Sequence, residues 1–294
     1  MTNSKWLFGI ASALVAVNAI AQYDDPATVT LKTTHVAGPV SQIEGIGGFG
    51  GGNVAVSAGA DGVLIVDPMT APMGTKLQAE LAKISPAPVR MVVNTHFHDD
   101  HTGGDAAFAS TAVIVAHENT RTHLRARHAE RIWPHVTFTD QMTLHFNGED
   151  IRLWHCPNAH TDGDTIVIFT GSKVAHFGDL FFNGMFPAVY REGGGDWNGF
   201  IACLDHAMAE IPEGSKIIAG HGPLGDIESL KAYVAMLKDS TAIVREHRSR
   251  GETAQQMIAA HVLARYDALG SGGAQTTEQY ITMVDKLLSS EVKR

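Results

Sequence analysis

The chain has 294 residues, 44% of them hydrophobic, and a formal charge of −9 at neutral pH. That length can bury a large core, as one large domain or two small ones. The acidic balance works against gripping a phosphate backbone, and no Lys/Arg patch with interleaved aromatics occurs, so nucleic acid is not expected as a partner.

The first 22 residues, MTNSKWLFGIASALVAVNAIAQ, carry one lysine, no acid and an apolar run over residues 6–17, closing on Ala19-Ile20-Ala21. This is the pattern of a cleaved signal peptide over residues 1–21, with an apolar core too short for a comfortable membrane span. The expectation is an exported protein, periplasmic or secreted, with no stable membrane anchor after cleavage. Its mature chain starts at Gln22, and loss of Lys5 takes the charge from −9 to −10.

The glycine run GIGGFGGG (45–52) contains G-x-G-x-x-G at Gly45, Gly47 and Gly50. A dinucleotide site needs a helix next, but NVAVSAG alternates like a strand, so the run reads as a hairpin tip. Strand patterns follow at VLIVD (63–67), VRMVVN (89–94) and TAVIVA (111–116), with the helical GTKLQAELAKI between the first two and a helix to about residue 130. Its basic run RTHLRARHAER (121–131) reads as a solvated helix face. MTLHF, IRLWHC, TIVIFT and KVAHFGD are short apolar strands spaced by turn signals. A helix around WNGFIACLDHAMAEI, the strand KIIAG and about 70 helical residues complete the chain, including TAQQMIAAHVLARYDAL read as one helix. Strand-rich hairpins that give way to alternating helices argue for two packed sheets sheathed by helices, as one domain over residues 22–294.

The polar clusters sit at strand ends. NTHFHDDHTGG (94–104) places His96 and His98 two apart, where both imidazoles can converge on one ion, with Asp100 and His101 just beyond for a second. His160 follows IRLWHC, Asp179 follows KVAHF, and His221 follows KIIA. Five histidines and two aspartates suffice for two metal sites with a position left for water. The two cysteines, Cys156 and Cys203, supply no thiolate finger pattern, although export permits a disulfide.

His-x-His-x-Asp-His, then His-Thr-x-Gly-Asp, Gly-Asp-Leu-Phe and Gly-His-Gly-Pro, in that order, resemble the metallo-β-lactamase superfamily from about residue 28 to the C-terminus. The resemblance implies an α/β fold, a four-layer αβ/βα sandwich with its site at one edge of the paired sheets. It implies His96, His98 and His160 on a first metal, Asp100, His101 and His221 on a second, and Asp179 bridging both. The implied cofactors are two zinc ions, with iron or manganese as alternatives because a bridging carboxylate is a harder ligand than thiolate. Hydroxide generated at such a pair attacks a carbonyl, with Asp100 orienting it and able to take its proton.

The zinc β-lactamases with cysteine at the bridging position carry a lysine shortly afterwards; here Asp179 is followed by LFFNGMF, without one. Efficient β-lactam hydrolysis is therefore not expected. Glyoxalase II is disfavoured by export, and ribonuclease Z by the acidic charge. The expected activity is hydrolysis of a small lactone, ester or thioester, with weak action on β-lactams. The alternative class is an iron-dependent redox enzyme of the same fold, similar to the sulfur dioxygenases; the diiron electron carriers have glutamate where this chain has His98. Asp67, ending VLIVD, and Asp164 are candidates to orient a ligand histidine from behind. Phe49, in the glycine-rich tip, and Tyr190 and Arg191, in the polar segment 183–197, are candidates to touch the substrate. His117, His155 and His176 receive no role.

Overall fold

The computed structural model describes residues 27–47, 51–127 and 132–289. The expected signal segment, Gln22 and Phe49 lie outside them. One sheet holds seven strands in chain order: β1 (Thr30–Ala37), β2 (Val40–Ile46), β3 (Val54–Gly59), β4 (Gly62–Val66), β5 (Val89–Asn94), β6 (Val113–His117) and β7 (Val136–Phe138). β1 to β4 pair antiparallel, and β4 to β7 pair parallel. Between them run α1 (Gly74–Ile84), the single turn α2 (Asp99–Thr102) and α3 (Glu118–Arg127).

The second sheet is built from β8 (Gln141–Phe146), β9 (Glu149–Cys156), β10 (Asp164–Phe169), β11 (Val174–His176), β12 (Lys216–Ile218) and β13 (Gly225–Asp226), hydrogen-bonded in the reverse of chain order. Its helices are α4 (Trp197–Glu210), α5 (Ile227–Ser249), α6 (Ala254–Ala259) and α7 (Thr277–Ser289).

Every residue of β4 and of β10 is buried, so both faces of each strand must be covered. Side chains alternate across a strand, and the cores follow that alternation. Val63 and Ile65 join Leu77 and Leu81 of α1, whereas Leu64 and Val66 join Leu153 and Val167 from the opposite sheet. Ile166 and Ile168 of β10 face Leu204, Leu237 and Leu287 on α4, α5 and α7, whereas Val167 and Phe169 turn inward. The result is four layers, helix, sheet, sheet, helix, as the sequence suggested. Each such side chain contributes roughly 1.5–3 kcal/mol by burial, so the inter-sheet layer holds the strand ends in register.

Two local readings change and two gain detail. The stretch 254–270 is not one helix: α6 stops at Ala259, the chain turns through His261 at φ +50°, and a 3₁₀ segment covers Ala264–Ser271. The turn lets Met257 and Leu263 both enter the helical core, where each is fully buried. The segment 183–197 is less polar than its composition suggests, because Phe186, Val189 and Trp197 are buried. The basic run on α3 is not simply solvated, since Arg121 and Arg125 lie against the Trp133 ring and Arg127 over Phe97. Finally, Cys156 at the end of β9 is disulfide-bonded to Cys203 on α4, with Cα atoms 5.7 Å apart.

Candidate metal centre

Strands β4 and β5 are parallel, as are β11 and β12, so the segments that follow them emerge at the edges of their sheets together. After β5 the chain turns through His96 and His98 into α2, which carries Asp100 and His101. His160 stands between β9 and β10, Asp179 in the 3₁₀ turn Gly178–Leu180 after β11, and His221 just past β12. The seven candidates converge as two groups, His96, His98, His160 and Asp179, and Asp100, His101, Asp179 and His221.

In the first group His98 Nδ1 lies 3.0 Å from His96 Nε2 and 2.9 Å from His160 Nε2, and Asp179 Oδ2 is 3.8 and 3.4 Å from those two Nε2 atoms. In the second, Asp100 Oδ2 lies 3.3 Å from both His101 Nε2 and His221 Nε2, and Asp179 Oδ1 lies 3.1 and 3.2 Å from them. Donors held about 2.0–2.1 Å from one tetrahedral ion stand roughly 3.3 Å apart. The observed spacings bracket that value.

The hydrogen bonds behind the imidazoles decide which nitrogen faces inward. His160 Nδ1 lies 2.6 Å from the Ala188 carbonyl, which can only accept, so Nδ1 carries the proton and Nε2 a lone pair. Asp67 Oδ2, 2.8 Å from His101 Nδ1, imposes the same tautomer there. Thr95 gives its hydroxyl proton to Asp67 Oδ2 at 2.7 Å, so at 3.0 Å it accepts from His96 Nδ1. Three Nε2 lone pairs therefore converge on the centre. His101 Nε2 and Asp179 Oδ1 are buried without a hydrogen-bond partner, which is costly unless a cation satisfies them.

Charge tells the same story. Burial holds the imidazoles of His96 and His160 below their ordinary range and takes His98 down to about 3, so all three are neutral donors. Burial alone would raise Asp100 and Asp179. The adjacent His101, together with His221, instead holds both carboxylates well below their usual range. Burial likewise opposes charge on His101 and His221, but Asp179 and Asp100 raise both, His221 to about 9. The pocket thus demands positive charge, and divalent cations meet that demand while leaving the imidazoles neutral.

Asp67 is fully buried at φ +60°, a left-handed conformation that aspartate tolerates better than most residues. It accepts from Thr95 N, Thr95 Oγ1 and His101 Nδ1. Asp164 touches no ligand imidazole. It accepts from the Thr161 amide and hydroxyl at 2.8 and 2.5 Å, fixing the loop that bears His160, and burial pushes its carboxyl up to about 8. Tyr190 is half exposed yet close enough to the centre that Asp179 and Asp100, after burial, raise its phenol. Arg191 donates to the Leu287 carbonyl at the end of α7. The spacing argument missed Thr95, whose hydroxyl relays Asp67 to His96, and Gly220, where a Cβ would collide with the Asp179 carboxylate. A hydroxyl directly before the first histidine was the available signal for Thr95. His176, fully buried, donates to the Asn53 carbonyl at 3.0 Å and accepts from Gly178 N, bracing the turn that carries Asp179.

Residues 47–221 match the family model of the metallo-beta-lactamase superfamily. The human metallo-beta-lactamase domain-containing protein 1 is 27% identical over 210 residues, spanning 67% of this chain and 72% of that protein. A hydroxyacylglutathione hydrolase of Nitrosococcus oceani is 28% identical over 136 residues, 45% of this chain and 48% of the relative, so the match spans about half of that protein. Among solved structures, a metallo-beta-lactamase from Pontibacter korlensis superposes with a TM-score of 0.61 at 20% identity, covering 71% of this chain and 99% of its own. That likeness is one of fold.

Proposed function

The chain belongs to the metallo-beta-lactamase superfamily, and from this premise we propose that it is a two-metal hydrolase, with zinc as the native ion, that opens a small lactone, ester or thioester. One observation carries the reading. Asp179 contributes one carboxylate oxygen to each donor group, which suits a shared pair of ions rather than one. His96, His98 and His160 would hold the first ion and Asp100, His101 and His221 the second. Bound there, such ions supply Lewis acidity toward a carbonyl oxygen and lower the pKa of water toward neutrality.

The protein's own residues do the rest. Asp67 and the Ala188 carbonyl keep the ring protons of His101 and His160 outside the centre. Asp100, ionised and almost fully buried, orients the attacking water. Tyr190, half exposed and near enough to feel Asp179 and Asp100, keeps its phenol protonated at neutral pH and is able to donate to a substrate oxygen. The residues after Asp179, LFFNGMF, offer no lysine for a substrate carboxylate, and Phe181 and Phe182 are buried. β-Lactams are therefore poor substrates in this reading. The enzyme acts in the periplasm or outside the cell, a placement supported by the N-terminal apolar run and the Cys156–Cys203 bond.

The test is metal analysis of the purified protein together with hydrolysis of a lactone, ester, thioester and β-lactam panel. About two zinc ions per chain are expected, with neutral esters or lactones preferred over penicillins. Fewer than one ion per chain, or no turnover across the panel, would overturn the proposal.

A further inference from the structure

One residue away from the donor His98 stands a cation that the proposed chemistry does not use. Of the seven donor residues six are buried and His98 alone is partly buried, so the centre is most accessible beside His98. The His98 ring meets Phe97 edge-on with centroids 4.7 Å apart, and the Arg127 guanidinium lies over the Phe97 ring at 4.3 Å. Two short contacts thus link a surface arginine to the metal donors. Across the same ring, a Cβ on Gly193 would meet Phe97, which brings the loop after Tyr190 to this rim as well.

Arg127 is exposed, but the helix that carries it is fixed to the centre. On α3, Asn119 Nδ2 donates to the Asp162 carbonyl at 2.8 Å and Thr120 Oγ1 to the Gly163 carbonyl at 3.2 Å. His123 stacks on Phe97 at 4.3 Å and pairs with Asp162 at 2.9 Å. Those partners belong to the loop that presents His160. The other arginines of α3 are engaged elsewhere, Arg121 on the Pro134 carbonyl and both Arg121 and Arg125 on Trp133. A guanidinium stacked on a ring keeps its in-plane N–H donors available, and stacking reduces the freedom lost when they engage a carboxylate. Among the described residues no carboxylate is paired with Arg127.

We propose that Arg127 is a specificity-determining residue that binds an anionic group on the substrate, and that the preferred substrates are esters or lactones whose acyl part bears a carboxylate. The proposal rests on the hydrolase reading above. The acidic chain as a whole repels such a molecule, and a local cation at the opening reverses that repulsion where it matters. Arg127 supplies, from another element, the charge that the segment after Asp179 lacks.

The experiment compares the zinc-loaded enzyme on two matched substrates, the p-nitrophenyl monoester of glutaric acid and neutral p-nitrophenyl butyrate. The variants are Arg127→Met, which keeps the aliphatic stem over Phe97, and Arg127→Lys, which keeps the charge. The ratio of kcat/KM, anionic over neutral, should fall about tenfold in Arg127→Met, the lower end for a charged hydrogen bond because the residue is exposed. Arg127→Lys should recover part of the ratio, and added salt should erode it in the wild type. An unchanged ratio in Arg127→Met, with both esters hydrolysed, overturns the assignment and leaves the hydrolase reading standing. If neither ester is hydrolysed, the wider substrate panel decides the hydrolase reading, and calorimetric binding of glutarate against butyrate decides Arg127 separately. A preference for glutarate lost in Arg127→Met supports the site; the same preference in both proteins overturns it.

Discussion

Replacing Asp67 by asparagine changes the centre by one oxygen and no shape. Asparagine tolerates the left-handed backbone at this position, so the fold should survive. The carboxylate accepts from Thr95 N on one oxygen and from both Thr95 Oγ1 and His101 Nδ1 on the other. If the amide oxygen stays opposite Thr95 N, the new NH₂ group faces the other two. His101 Nδ1 must then accept, which moves its proton to Nε2. Thr95 must accept as well, and turns its own proton toward His96 Nδ1, 3.0 Å away, with the same consequence for His96. Both donor groups lose a lone pair. The flipped amide avoids this only by setting its NH₂ against the buried Thr95 N–H, at about 1–3 kcal/mol. Loss of the partner behind a ligand histidine costs ~10- to 100-fold in metal affinity. With one affected histidine in each group, each ion should weaken by that factor, about 1.4–2.7 kcal/mol. Competition titration with a chromophoric zinc chelator measures both steps, and circular dichroism checks the fold. A folded Asp67→Asn protein that binds two zinc ions with wild-type affinity would refute the tautomer argument.

Three other outcomes are expected. His98→Ala should lose the first ion and nearly all turnover, because His98 Nδ1 faces both His96 Nε2 and His160 Nε2; metal analysis and the same ester assay check this. The Cys156→Ala/Cys203→Ala double variant should unfold about 2–4 kcal/mol more easily in denaturant titration, as for a disulfide closing a loop of 47 residues. It should also bind the first ion more weakly, since Cys156 anchors the strand just before His160; equal stability and equal zinc affinity would contradict that anchoring. Mass spectrometry of protein recovered from a periplasmic extract should show a chain beginning at Gln22 or within a residue or two, whereas retention of residues 6–17 would indicate a membrane-tethered form.

The layered fold was legible along the chain because burial on both faces leaves a local mark. VLIVD and TIVIFT have no polar alternation, so each needs a cover on both faces, which layers of helix and sheet provide. The order of donor residues was legible too, since histidines and aspartates are costly to bury unpaired and stand out where an apolar strand ends. Other features depended on distance through space. Asp67 and Thr95 are 28 residues apart, and His160 and the Ala188 carbonyl are separated by the same span, so nothing local says which carboxylate orients which ring. Asp164 and Asp67 looked alike in sequence, each next to a strand, yet of the two only the Asp67 carboxylate reaches a histidine of the centre. Arg191 donates to the carbonyl of Leu287, 96 residues later, a partner that no local pattern announces. Arg127 looked solvated until Phe97 arrived beside it. Periodicity and charge cost are set residue by residue and can be read from the chain. The partner of a buried polar group is set by the packing of distant segments, and in this protein that packing decides both the tautomers of the centre and the charge at its opening.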